Sequence, residues 1–196
     1  MDKKLEKRTL LFKGGEFRAE TVDGVRHVKG YPVVFGVKGN PYRYSDWSEV
    51  VDSNALSDVD LSDLMLLLGH DDNQLLARNG INLTFKIDST GLFIDATLGN
   101  TELDNYVYDR VSRGLLDSMS FRFYADLWQT DYDKKIDTIL HITDLPEVSL
   151  VTWAAYQQTV AIATEETVSK REQELKGKAD ADKRAKALFD LELSLI

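Results

Sequence analysis

Strict alternation of apolar and polar residues constrains this chain more than any other feature. Leu83, Phe85 and Ile87 alternate with polar neighbours, Asp88-Ser89-Thr90-Gly91 has the composition of a turn, and Leu92, Ile94, Ala96 and Leu98 alternate again. Two runs of period two joined by such a turn specify a β-hairpin. Further strand patterns occur at 31–36, 119–128, 138–143 and 148–152, with an N-terminal one in TLLFKGGEFRAE. One stretch follows a different period. Thr101-Glu102-Leu103-Asp104 has the form of a helix start with the Thr101 side chain available as a cap. Leu103, Tyr106, Val107, Arg110 and Val111 then recur at the 3–4 spacing of a helical face, and Gly114 supplies a stop. Ser53-Asn54-Ala55-Leu56 reads as the start of a short helix, 37–49 as a loop, and 61–68 as an apolar run leading to His70.

The pattern predicts an α+β fold over residues 1–163, an antiparallel β-barrel-like core with a few surrounding helices. From residue 164 the composition changes. The last 33 residues carry eight acids and seven Lys or Arg and no proline, the make-up of a solvated helical tail, with Leu188, Phe189, Leu191 and Leu195 apolar enough to dock. The net charge of −9 therefore resides mostly in residues 1–163 and argues against a general nucleic-acid binder. The absence of cysteine rules out disulfides, thiolate metal sites and a cysteine nucleophile. No segment approaches the roughly 20 apolar residues that span a bilayer, and the opening MDKKLEKRTLLF lacks the apolar stretch of a signal peptide. No membrane association is expected.

Three reactive residues stand on separate rigid segments. In GLLDSMSFRF, Met119, Phe121 and Phe123 alternate with Ser118, Ser120 and Arg122, so Ser120 points away from the apolar side of its strand. His70 follows the apolar run LMLLLG, and Glu147 opens the strand of PEVSLVT. A serine, a histidine and an acid form a hydrolytic site if the fold brings them together. Each alone has a plainer reading: Ser120 as polar strand surface, His70 as a surface or satisfied histidine, Glu147 as an edge charge, with Asp144 as a rival acid. Arg122 shares the predicted face of Ser120. Steadying an oxyanion or gripping a substrate acid is one role for it, and a solvent-facing cation paired with Asp117 or another acid is the favoured one. Asp71 is a poor orienter of His70, because adjacent residues on extended chain face opposite ways. A metal site on His70, Asp71 and Asp72 finds no second histidine at ligand spacing, His27 and His141 being distant. No metal or cofactor is expected.

Five blocks in order carry a likeness. GYPVVFG with SEVVDSNAL, LLLGHDDNQLLAR, DSTGLFIDATL, NYVYDRVSRGLLDSMSFRF and LPEVSLVTWAAY together resemble the prohead maturation proteases of tailed phages, a family related in fold to the herpesvirus assemblins. The resemblance runs from about Gly30 to Ile162. It implies a serine endopeptidase with Ser120 as nucleophile, His70 as general base and Glu147 as the third residue. It implies as partners the scaffold protein or the scaffolding segment of the major capsid protein, cut inside the assembling procapsid in the host cytoplasm, with self-cleavage as well. On this reading the tail, residues 164–196, is a prosegment or capsid-targeting arm. Related assemblins work as dimers, and the resemblance leaves a homodimer open. Two positions depart from the family: Arg122 stands where glycine is common, and Trp153 where proline is frequent. The competing readings are a non-catalytic capsid-assembly factor on the same fold and an unrelated β-rich binding domain.

Overall fold

Alternating sequence becomes paired strand through most of the molecule. The structure is a computed structural model that describes residues 6–12, 18–39 and 46–152. Its strands are β1 (Glu6–Phe12), β2 (Arg18–Val22), β3 (Val25–Val34), β4 (Ser48–Val51), β5 (Met65–Leu68), β6 (Asp71–Arg78), β7 (Leu83–Ile87), β8 (Gly91–Leu98), β9 (Ser118–Asp131) and β10 (Ile136–Val151), with one helix, α1 (Glu102–Ser112). Two sheets result. One has the order β2-β3-β8-β7; the other runs β1-β9-β10-β5-β6, with β4 also on β10. They contribute to a single core in which Val28, Ile94 and Ala96 of the first sheet join Leu66, Phe121, Phe123 and Val148 of the second.

The β7–β8 hairpin pairs Leu83 with Ala96 and Ile87 with Leu92, as the alternation specifies. Its second strand starts tight against β3: a Cβ at Gly91 would lie 1.9 Å from the Val33 carbonyl oxygen, so only glycine fits there. Helix α1 begins with a capping box between Thr101 and Asp104 and buries Val107 and Val111. Gly114, at φ +67°, follows its end.

The fold departs from the expected one in four places. The sheets do not close into a barrel, and the second is mixed, because β4 and β5 both run parallel to β10. The two segments expected at 138–143 and 148–152 are one strand: β10 continues through Asp144 and Pro146 by a series of register shifts, which accommodate a proline inside a strand. Its first half pairs with β4 and its second half with β5, so both short strands lie end to end along one edge. Of the segment at 31–36, residues 31–34 are the end of the ten-residue β3 and Phe35 makes an isolated bridge to Val51, so there is no separate strand. Finally, the helix expected from Ser53 is a turn. Asp52 Oδ1 accepts from the Asn54 amide at 2.9 Å, an Asx arrangement that competes with helix, and α1 is the only helix among the described residues. No helix among them is long and apolar enough to cross a membrane. The tail at 164–196 lies outside the described residues.

His141 ties the 52–64 segment to the β9–β10 hairpin. Its Nδ1 is 2.5 Å from Asp126 Oδ1 and its Nε2 2.9 Å from Asp58 Oδ1. The hydrogen bond to Asp126, then that to Asp58, raises its pKa above the ordinary 6.5. A raised pKa in the folded state favours folding fully below about pH 6.5, and this contribution disappears as pH climbs through the raised value. The difference in melting temperature between the parent and His141→Ala is therefore expected to shrink from pH 6 to pH 9 in paired thermal melts.

Candidate active site

The site is assembled from three neighbouring strands and one turn. β5 places Leu66 and Leu67 in the core and pairs with the second half of β10, Met65 opposite Glu147 and Leu67 opposite Ser149. It then reverses into β6 through a two-residue turn in which Leu68 faces Asp71. Both turn residues have positive φ, +68° at Gly69 and +60° at His70, the pattern of a type I′ hairpin turn. Gly69 adopts this freely. His70 does so at a cost of about 1–3 kcal/mol, which the surroundings must offset.

On the other side of β10 runs β9. Ser120 faces Ser149 and Arg122 faces Glu147 across the ladder. Directly opposed residues project to the same face, so two strands present Ser120, Arg122, Glu147 and Ser149 together. Met119, Phe121 and Phe123 occupy the opposite face in the core, as the alternation predicts. The His70 side chain reaches from the β5–β6 turn across β10 to meet the polar group. Its Nδ1 lies 2.6 Å from Glu147 Oε1 and its Nε2 2.9 Å from Ser120 Oγ. Ser120 and Glu147 are buried, and the imidazole is 12% exposed. The structure thus brings together the three residues singled out in the sequence, 50 and 77 positions apart from His70.

Glu147 is a buried carboxylate with polar company on both oxygens. Ser149 Oγ donates to Oε2 at 2.6 Å, and Arg122 Nε lies 3.4 Å from Oε1. A buried charge is tolerable only when bonded in this way. Asp144, the rival acid, is exposed, and its place beside the imidazole is taken by Glu147. Asp71 accepts from the backbone and side chain of Asn73 instead of turning to His70.

Arg122 does pair with acids, as expected, but with Asp72 and Glu147 and not with Asp117, and it is not solvent-facing. Its side chain is 19% exposed. Nη2 donates to the His70 carbonyl at 3.0 Å and Nη1 to Asp72 at 3.4 Å, while Asp117 accepts from Ser118 Oγ. Ser149 is the polar residue that sequence reasoning missed. The signal was present: Glu147-Val148-Ser149 alternates at a strand start, so the glutamate and the serine share a face. The other two histidines lie elsewhere, His27 beside Asp95 and His141 between Asp58 and Asp126. Among the described residues no group of three or more His, Cys, Asp or Glu is arranged to hold a metal ion.

Chemically, the line from Ser120 Oγ through the imidazole to Glu147 can take a proton from a hydroxyl and stabilise the imidazolium that forms. Comparisons with known proteins bear on the family and the fold. The family model of the caudovirus prohead serine proteases matches residues 15–174. No curated protein matches the chain. The solved structure of the bacteriophage T4 capsid assembly protease superposes with a TM-score of 0.50 at 11% identity, over 74% of this chain and 98% of that one. At that identity the likeness concerns the fold.

Proposed function

This chain belongs to the caudovirus prohead serine protease family, and on that premise we propose that it is the endopeptidase that cuts the scaffold, or the scaffolding segment of the major capsid protein, during procapsid maturation. Ser120 is the nucleophile, His70 the general base and acid, and Glu147 the residue that orients the imidazole. One observation carries this reading: His70 Nε2 is 2.9 Å from Ser120 Oγ while its Nδ1 is 2.6 Å from Glu147, a serine–imidazole–carboxylate line in hydrogen-bond contact throughout.

The chemistry follows from that line. Ser120 Oγ attacks the scissile carbonyl carbon as its proton passes to His70 Nε2. The tetrahedral intermediate collapses when His70 gives the proton to the leaving amine, which leaves an ester on Ser120. A water then attacks the ester, its proton taken by His70, and the second collapse frees the acid and restores the hydroxyl. Glu147 fixes the tautomer with the proton on Nδ1, so that Nε2 is the accepting nitrogen, and its charge stabilises the imidazolium in both halves. Ser120 is buried, and the imidazole beside it is 12% exposed.

The capsid substrate is supported by the family and by the T4 neighbour, whose own description is a capsid assembly protease. The reaction then takes place inside the assembling procapsid, and residues 164–196 serve as a prosegment or targeting arm. Co-expression with the capsid and scaffold proteins of the same phage tests the reading. Their scaffolding segment is expected to be trimmed, and a fluorophosphonate added to the purified protein is expected to label Ser120, read by peptide mass spectrometry. Untouched partners together with an unlabelled Ser120 would overturn the protease reading and favour an assembly factor.

A further inference from the structure

His70 occupies a backbone conformation that its own sequence does not secure. The second central position of a type I′ turn favours glycine, and here it holds a histidine at φ +60°. The adjoining ladder gives little support, because the β5–β6 pairing shifts register between Leu66 and Leu67 and again between Leu67 and Leu68, just before the turn. Something outside the hairpin must therefore hold the imidazole over Ser120.

We propose that Ser149 and Arg122 are positioning residues that clamp the backbone of His70 and the carboxylate of Glu147 as one unit. The Ser149 hydroxyl accepts from the His70 amide at 3.2 Å and donates to Glu147 Oε2 at 2.6 Å. The Arg122 guanidinium donates to the His70 carbonyl at 3.0 Å and sets Nε 3.4 Å from Glu147 Oε1. Both polar backbone atoms of His70 are thus held, each by a side chain that also touches Glu147. Base and acid are fixed relative to each other by β9 and β10, two strands joined along their length, and the turn only delivers the ring. Arg122 and Ser149 reach this position because β10 aligns them with Glu147 and Ser120 respectively. The rigid planar fork of a guanidinium reaches the His70 carbonyl, Asp72 and Glu147 from fixed directions, a geometry that the point-like ammonium of a lysine does not reproduce. This arrangement also gives the arginine, standing where the family commonly has glycine, a role behind the imidazole and not at the carbonyl of the substrate.

The inference rests on the proposed roles of Ser120, His70 and Glu147, and the test separates the two. The probe is the rate at which a fluorophosphonate labels Ser120, followed together with the low-field proton resonance of the His70 Nδ1–H that faces Glu147. Ser149→Ala and Arg122→Gln are each expected to slow labelling by about 10- to 100-fold, the scale of a misplacement near 1 Å. Each is also expected to shift or erase that resonance while cooperative melting is retained, and Ser149→Thr, which keeps the hydroxyl, is expected to recover most of the rate. A parental rate with a parental resonance in either variant would refute the clamp, as would slowed labelling with the resonance unmoved. Should the fully buried Ser149→Ala fail to fold, the partly exposed Arg122→Gln decides the same question. An unlabelled parent protein would instead bring down the protease reading itself.

Discussion

Replacing Ser120 with alanine is expected to lower peptide-bond cleavage by roughly 10⁵- to 10⁶-fold, the loss seen when a hydrolase of this mechanism is deprived of its nucleophile. The substitution deletes one oxygen from a buried position on β9 and removes the acyl acceptor altogether. No neighbouring group can replace it. Ser149 lies directly across the ladder, but its hydroxyl is bonded to Glu147 and to the His70 amide. The structural cost is small by comparison, the lost hydrogen bond to His70 Nε2 being worth about 1 kcal/mol. Turnover of the co-expressed scaffolding segment by mass spectrometry, alongside a urea melt of each protein, checks both halves. Cleavage by the alanine variant at the parental rate would place the nucleophile elsewhere.

Glu147→Gln is expected to cost about 10⁴-fold in turnover through a different route. The shape of the side chain is kept, but the group facing His70 Nδ1 becomes an amide. With its N–H₂ directed at the ring, that amide would require Nδ1 to accept, moving the ring proton to Nε2. Nε2–H then points at Ser120 and cannot take its proton. With its carbonyl directed at the ring instead, the tautomer is preserved, but the charge that stabilises the imidazolium is gone. The amide also meets the Ser149 hydroxyl and the Arg122 guanidinium, both of which the carboxylate accepts from or pairs with. Stability is expected to fall by about 1–3 kcal/mol, since buried donors lose their charged acceptor. A variant that folds, stays labelled at Ser120 far below the parental rate and fails to turn over substrate fits this account. Retention of full activity would return the orienting role to another acid.

Local chemistry explains which parts of the molecule were readable in advance. The β7–β8 hairpin was legible because alternation and the turn residues sit side by side in the chain. The ends of α1 were legible because Thr101, Asp104 and Gly114 act on backbone within a few residues of themselves. The opposed faces of β9 follow from its period alone, and so Ser120 could be set apart from Met119, Phe121 and Phe123. Ser53 to Leu56 went wrong on the same local scale, because Asp52 captures the backbone that a helix would have used.

What alternation cannot encode is the identity and direction of a neighbour. A strand pattern shows one face apolar and says nothing of which strand lies beside it, so the parallel placement of β4 and β5 on β10 and the open sheets were out of reach. The same limit applied to Arg122. Its face was foreseen, but its partners are a carbonyl 52 positions away and a carboxylate on the next strand. The chain by itself determined the reactive groups and the rigid segments that carry them, because those depend on residue type and on periods of a few residues. Tertiary structure alone decided that His70 arrives over Ser120 in a strained turn, since that depends on the register between strands distant in sequence, which no local pattern contains.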